Sequence, residues 1–172
     1  MIIRLVTAEE ANAFKDFFEQ GLINRPDCFR ISPSDLAPLP FPTQGNPDNF
    51  TLGAFDEDNN WMGTASFKRE GLERERLRHQ GLLFFMYVSD KCEGKGIGGK
   101  LLDALIKRVK EQTDIEQIVL TLVGTNYRAK KLYLSKGFET YGYQKKAIKW
   151  GDHYLDEEFM YLPFASKSTL LQ

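Results

Sequence analysis

One segment of this chain, Glu93-Gly94-Lys95-Gly96-Ile97-Gly98-Gly99-Lys100, carries most of the information about its architecture. It follows Gly81–Val88, a continuous apolar run typical of a strand buried on both faces. Apolar residues then recur at helical spacing, at Leu101, Leu102, Leu105, Ile106 and Val109. Glycines let backbone amides point inward, and a helix N-terminus adds about half a positive charge. The segment therefore predicts a loop between strand and helix that binds a phosphate or diphosphate.

Two nucleotide-binding patterns fit this loop only in part. Gly94, Gly96 and Gly99 satisfy G-x-G-x-x-G, but the largely polar segment Ser89–Glu93 separates them from the strand. The next predicted strand also ends without the acid that this pattern requires. The P-loop pattern needs a Ser or Thr where this chain has Leu101. An ordinary strand-to-helix connector remains as a structural alternative.

A third pattern fits better. The loop resembles motif A of the GCN5-related N-acetyltransferases (GNAT), Arg/Gln-x-x-Gly-x-Gly/Ala after a strand ending in a Tyr-Val-like pair. Gly96 and Gly98 take the two small positions, and Met86-Tyr87-Val88 matches the strand end. The chain departs from the pattern at Glu93, where the family usually has Arg or Gln.

A second segment strengthens the resemblance at an independent position. Asn126–Phe138 is similar to the family's pattern Asn-x-x-Ala-x-x-Leu-Tyr-x-x-x-Gly-Phe, and it follows the glycine loop after one predicted strand. The matching residues are Asn126, Ala129, Leu132, Tyr133, Gly137 and Phe138. The resemblance covers roughly residues 2–162, and its specific part is residues 86–138.

The rest of the chain predicts the fold around these motifs. A first strand (2–7) leads into a helix through Phe14, Phe17 and Phe18, and a proline-rich loop covers residues 24–49. Strands are predicted over 50–55, 61–67, 81–88, 115–123, 138–149 and 154–162. We therefore expect an α/β protein of the α+β type, with a mixed, mostly antiparallel sheet and helices on both faces. We expect one domain over residues 1–164, followed by a C-terminal tail, 165–172.

Composition narrows the function classes. The chain has 172 residues, of which 23 are basic and 24 acidic, so a nucleic-acid-binding protein with a net basic footprint is not expected. No apolar run is long enough to span a membrane. Cys28 and Cys92 form no metal-binding spacing, and without an export signal they are expected to be reduced thiols in a cytoplasmic protein.

The resemblance implies transfer of an acetyl group from acetyl-CoA to a primary amine, by direct attack in a ternary complex and without a metal. The amine would belong to a small molecule or to a peptide or protein N-terminus. The resemblance assigns the binding of acetyl-CoA to the strand end, the glycine loop and the second motif. These residues are Met86, Tyr87, Val88, Gly94, Lys95, Gly96, Ile97, Gly98, Gly99, Lys100, Asn126, Ala129 and Tyr133.

The catalytic groups are less completely specified. Tyr133 is expected to be the general acid that protonates the CoA thiolate, because a phenol stays protonated at neutral pH. Thr121 occupies the position where some family members carry a glutamate base. His79 is the candidate base, and further candidates in the last hairpin are His153, Asp156 and Glu157. A water chain, or an amine that arrives deprotonated, would need no base.

Two other matters stay open at this stage. A non-catalytic module that binds CoA or a nucleotide is the alternative function, because of Glu93 and the unassigned base. The final hairpin has an edge strand through which two copies could pair as a homodimer.

Overall fold

The computed structural model describes residues 1–71 and 73–164, so the predicted tail, residues 165–172, lies outside the described residues. The part of the chain that it describes contains seven strands and four α-helices. The strands are β1 (Ile2–Leu5), β2 (Asn49–Phe55), β3 (Trp61–Arg69), β4 (Gln80–Val88), β5 (Gln117–Val123), β6 (Glu139–Trp150) and β7 (His153–Pro163). The helices are α1 (Ala11–Asn24), α2 (Pro33–Leu36), α3 (Ile97–Lys110) and α4 (Tyr127–Ser135).

The strands form one sheet in the order β1-β2-β3-β4-β5-β7-β6. Only the β4–β5 pair is parallel among the described strands; the other neighbours are antiparallel. The predicted mixed, mostly antiparallel sheet is therefore confirmed. Because β6 is at the edge of the sheet, it remains the strand through which a second copy could pair, and that pairing stays a prediction.

Helices cover both faces because the strands present apolar side chains on both. The apolar stripe of α3, which includes Leu101 and Leu105, packs in the larger core cluster with α4. On the other face, Phe14 and Phe18 of α1 pack against Tyr87 of β4. Alternation along a strand sends neighbouring side chains to opposite faces, so the buried run predicted for β4 serves both layers. None of the described helices is long and apolar enough to cross a membrane.

The central feature of the sheet is that β4 and β5 separate. Their pairing runs only from Gln80↔Gln117 to Leu82↔Val119. Beyond that point β4 stays paired with β3, and β5 with β7. A register shift in the β3–β4 ladder coincides with a left-handed φ of 46° at Phe85. Such a bulge bends a strand, so the outer halves of β4 and β5 diverge. We call the resulting opening the splay.

Candidate functional site

The glycine loop places six backbone amides at the N-terminus of α3. Within residues 1–71 and 73–164 the amides of residues 94–99 donate no hydrogen bond, and the first amide of the helix to do so is Lys100 N, to Gly96 O at 3.1 Å. Unpaired N–H groups at a helix start attract anions because the helix dipole is positive there. We call residues 94–99 the amide cradle.

The local geometry accounts for three of the glycines, of which Gly94 has a left-handed φ of 74°. Gly96 caps α3 with a φ of 73°, a left-handed conformation that strains any residue with a side chain. Gly98 lies close to α4, since a Cβ added there would come within 3.1 Å of Leu132 Cδ2. Glycine is therefore needed at positions 94 and 96 for the left-handed turns, and at position 98 it allows a close approach of α3 to Leu132 of α4.

A cavity of about 580 Å³ joins the cradle to the splay. On the α3 and α4 side its wall includes the cradle glycines, Leu132 and Tyr133. On the α1 side the wall includes Phe18, Phe29 and Arg30. The middle of the cavity is formed by β4 from Leu83 to Val88 and by β5 from Leu120 to Val123, the parts of these strands that no longer pair with each other. The cavity therefore passes through the sheet from one helical layer to the other.

Tyr133 lies in the wall of this cavity on α4. Its side chain is buried, and burial raises the pKa of its phenol well above the usual value. Its ring packs on Phe138 at a centroid distance of 5.5 Å. The hydroxyl forms no hydrogen bond with any side chain or backbone group in the described ranges, so it remains available to a molecule in the cavity.

Asn126 has a structural role and also lines the cavity. Its Oδ1 accepts a hydrogen bond from Ala129 N at 3.1 Å, which caps α4. Its Nδ2 donates to Cys28 O at 3.5 Å, and the neighbouring Thr125 Oγ1 donates to Asp27 O at 2.9 Å. These bonds fasten the 3₁₀ turn Pro26–Cys28 to the start of α4, so that this turn lies beside the mouth of the splay.

Glu93 is neutralised by two arginines. Arg25, which follows α1, pairs with Glu93 at 3.0 Å and with Asp90 at 3.2 Å. Arg128 on α4 also pairs with Glu93. All four residues line the cavity beside the cradle. The acid that departs from motif A therefore gathers two guanidinium groups where an anionic ligand would bind.

The structure brings most of the predicted site residues together, with three exceptions. Met86, Tyr87, Val88, Gly94, Gly96, Ile97, Gly98, Gly99, Asn126, Ala129 and Tyr133 all line the cavity. Lys95 and Lys100 are exposed and their side chains are outside its wall, so only their backbone belongs to the loop.

His79 is the third exception. It precedes β4 at the end where β4 and β5 are still paired, and its carbonyl accepts a hydrogen bond from Glu116 N at 2.7 Å. The cavity wall begins at Leu82, three residues further along β4 and thus roughly 10 Å from His79, and His79 is not part of it. The role of His79 as the base therefore stays a prediction.

Two arginines of the proline-rich loop, Arg25 and Arg30, join the site without any sequence signal. Arg30 pairs with Glu157 of β7, whose side chain is almost fully buried. Of the three base candidates in the last hairpin, Glu157 is therefore buried, whereas His153 and Asp156 are exposed. Pro26 and Pro33 predicted that this region is not one long helix, but not that it would lie against β7.

No group of three His, Cys, Asp or Glu side chains in the described ranges is arranged to hold a metal ion.

Comparison with known proteins agrees with this geometry. The model of the acetyltransferase (GNAT) family matches residues 14–138. No curated protein sequence matches the chain significantly.

Solved structures of similar fold include a GNAT acetyltransferase from Streptococcus pneumoniae (20% identity, TM-score 0.81), covering 95% of this chain and 99% of that one. A GCN5-related N-acetyltransferase from Kribbella flavida is 23% identical with a TM-score of 0.79, over 95% of this chain and 97% of its own. YncA from Salmonella typhimurium, whose structure contains its cofactor acetyl-CoA, is 21% identical with a TM-score of 0.75, over 95% and 93% of the two chains. At these identities the likeness concerns the fold. Because the family model spans most of the sequence, the chain belongs to the GNAT acetyltransferase family.

Proposed function

We propose that this protein transfers an acetyl group from acetyl-CoA to a primary amine by direct attack in a ternary complex. The observation that carries the proposal is the cavity that passes from the amide cradle through the splay to the α1 face. A donor held on the α3 side and an acceptor held on the α1 side would meet between β4 and β5. Such a meeting needs no covalent intermediate on the protein.

The donor site follows from the cradle and the splay. The amides of residues 94–99 would bind the diphosphate, and Arg25 and Arg128 would add charge-assisted hydrogen bonds. The edge of β4 from Met86 to Val88, which lacks a partner on the β5 side, would bond the amides of the pantetheine arm. Asn126, with donor capacity left after capping α4, would bind the same arm. Acetyl-CoA supplies the activated acetyl group as a thioester.

Tyr133 would supply the proton for the leaving thiolate. As the nitrogen bonds to the acetyl carbon and the carbon–sulfur bond breaks, the phenol gives its proton to sulfur. The proton then lost by the nitrogen restores the phenol. Burial raises the pKa of Tyr133, and the same burial would raise the pKa of a thiol beside it. Proton transfer between two groups in one apolar site therefore remains feasible.

The test is release of free CoA thiol from acetyl-CoA with a panel of amines. Wild-type protein should release thiol with at least one amine, and Tyr133→Phe should lower kcat by roughly a hundredfold or more. Calorimetry should show that Tyr133→Phe binds acetyl-CoA as wild type does. Unchanged turnover in Tyr133→Phe would refute the acid assignment.

Two further results would overturn the proposed function itself. If acetyl-CoA binds and no amine releases thiol, the protein is a CoA-binding module. If calorimetry shows binding of NAD or ATP but not of acetyl-CoA, the loop belongs to a nucleotide site.

A further inference from the structure

A second cavity, of about 470 Å³, lies between the segment that follows the Pro26–Cys28 turn and the β6–β7 hairpin. Its wall consists of Arg30, Ile31, Ala147, Ile148, Lys149 and Glu157. Arg30 and Ile31 also line the main cavity, so the two cavities adjoin at these residues. The second cavity therefore lies on the acceptor side of the proposed reaction, away from the amide cradle.

The charges in this cavity are unevenly distributed. The Glu157 side chain is 4% exposed, and its partner Arg30 is 58% exposed. Arg30 is the only hydrogen-bond donor to the Glu157 carboxylate in the part of the chain that the structure describes. Lys149 adds a second cation to the wall. The cavity thus has one carboxylate at its base and two cations nearer solvent.

A buried carboxylate with a single, half-exposed partner lowers the stability of the folded protein. Loss of the water around such a group opposes folding unless strong hydrogen bonds replace that water. One arginine cannot fill all the acceptor positions of a carboxylate. A ligand with an ammonium group would fill the remaining positions of Glu157, and a ligand with an anionic group would satisfy Arg30.

The geometry points to an acceptor that carries both groups, an α-amino acid with an apolar side chain. This inference rests on the proposed function and names the substrate class of its acceptor site. The ammonium group would bind Glu157, the carboxylate would bind Arg30 with Lys149 nearby, and the side chain would contact Ile31, Ala147 and Ile148. Polyamines are disfavoured because their additional cations would face Arg30 and Lys149. The cavity volume suits a small molecule.

The test compares an amino acid with the same molecule lacking its carboxylate. Thiol release from acetyl-CoA is measured with leucine, isopentylamine and spermidine. Wild-type kcat/KM should be at least about tenfold higher for leucine than for isopentylamine, as expected for one charge-assisted contact. A wild-type protein that uses isopentylamine or spermidine as well as leucine contradicts the inference.

Variants separate recognition of the carboxylate from general damage. Arg30→Gln should raise KM for leucine by about ten- to a hundredfold through loss of that contact, with a much smaller change for isopentylamine. Each amine is compared with itself in wild type and in Arg30→Gln, so the different basicities of leucine and isopentylamine cancel in the comparison. Arg30→Lys should recover part of the loss, and the exposed Arg76→Gln, outside both cavities, should behave as wild type. An equal effect of Arg30→Gln on both acceptors refutes the inference.

A binding measurement keeps this inference separable from the proposed function. In the presence of CoA, leucine should raise the melting temperature of wild type and not that of Arg30→Gln. Binding of leucine without thiol release would refute catalysis and support the recognition site. Thiol release with other amines, without a rise in melting temperature on addition of leucine, would support catalysis and refute the recognition site.

Discussion

At the scale of single residues, the site depends on groups whose charges are controlled by their surroundings. Tyr133 is held as a neutral phenol because burial penalises its phenolate, and this burial raises its pKa. Glu93 is held as part of a cluster with Arg25 and Arg128. The burial of Tyr133 affects the stability of the protein, and the Glu93 cluster affects its affinity for CoA. Both can be measured without knowing the acceptor.

The raised pKa of Tyr133 predicts a loss of stability at alkaline pH. In the unfolded chain the phenol ionises near pH 10, whereas in the folded protein it stays protonated to higher pH. The contribution of Tyr133 to stability is therefore present below pH 10 and is lost as the pH rises above it. Between pH 10 and 11 wild type should lose about 1 kcal/mol more unfolding free energy than Tyr133→Phe does.

Urea unfolding of both proteins at pH 8, 10 and 11 measures this difference. The matched control is Tyr127→Phe, because Tyr127 is 74% exposed. The unfolding free energy of this variant should fall with rising pH as much as that of wild type. If the unfolding free energies of wild type and Tyr133→Phe fall equally between pH 8 and pH 11, the fold does not hold the phenol of Tyr133 neutral.

Glu93 predicts a gain in affinity when its charge is removed. Glu93→Gln abolishes one negative charge beside the cradle, which frees Arg128 for a diphosphate and leaves Arg25 with Asp90 as its one remaining ion-pair partner in the described ranges. Affinity for CoA should rise about fivefold, as expected for removal of one close charge that is partly screened by solvent. Calorimetry at two salt concentrations measures this, and the gain should shrink at high salt.

The control for this variant makes the same change of charge elsewhere on the protein. Glu111→Gln lies just beyond the opposite end of α3, at an exposed position, and should leave CoA affinity unchanged. A lower affinity in Glu93→Gln would show that the carboxylate is needed to position the arginines.

At the scale of elements, the geometry of the loop and of α3 determines whether the amides converge. Gly96 has a left-handed φ of 73° at the cap of α3, whereas Gly99 lies inside the helix near Lys136. A Cβ at Gly96 would meet no atom within 4 Å, and one at Gly99 would lie 3.7 Å from Lys136 Cε. Backbone strain, and not crowding, therefore distinguishes the two positions.

Gly96→Ala should weaken CoA binding more than Gly99→Ala. The left-handed conformation costs an alanine about 1 kcal/mol, so the loop should relax and Kd should rise about fivefold or more. Gly99→Ala should leave Kd within experimental error and slightly stabilise α3. Calorimetry on both variants measures this, and equal effects would mean that the cap conformation does not hold the cradle.

The elements themselves could largely be predicted from the sequence. Predicted strands such as 50–55 and 61–67 agree with β2 and β3 within two residues, because alternation and the polar turn between them are local signals. The bulge at Phe85 and the splay could not be predicted, since a continuous apolar run says nothing about where pairing ends. Arg25 and Arg30 were missed because their contacts with Glu93 and Glu157 cross 68 and 127 residues. That His79 lies outside the cavity wall could not be predicted either, because it depends on where the β4–β5 pairing ends.

At the scale of the whole molecule, the two ends of the β4–β5 pair have different roles: one forms the cavity, and the other holds the strands together. At the open end, β4 and β5 separate to form the cavity. At the closed end, the buried guanidinium of Arg69 donates to both oxygens of Asp114 at 2.9 Å, to Arg78 O at 2.7 Å and to Asp48. These bonds join β3 to the loops before β2 and β5.

Arg69→Met should destabilise the protein without changing the site. Asp48 and Asp114 are 36% and 54% exposed and regain water when Arg69 is removed, so the loss should be about 1–2 kcal/mol. The contact with Arg69 also holds the pKa of Asp114 below its usual value. The part of stability due to Asp114 is present above pH 4 and lost as the pH falls through its lowered pKa, so Arg69→Met should show less acid dependence. Unfolding at pH 7 and pH 3 measures both effects.

Calorimetry with CoA is the control for Arg69→Met, because Kd should match wild type if the two ends act independently. A weaker affinity with unchanged stability would contradict this separation of the two ends.

Convergence of the loop amides on a diphosphate is most directly tested by NMR titration of ¹⁵N-labelled protein with CoA. The backbone amide signals of residues 94–99 should move with a single saturation curve, together with those of Arg25 and Arg128. Saturable binding of CoA that leaves the signals of residues 94–99 in place would contradict the account.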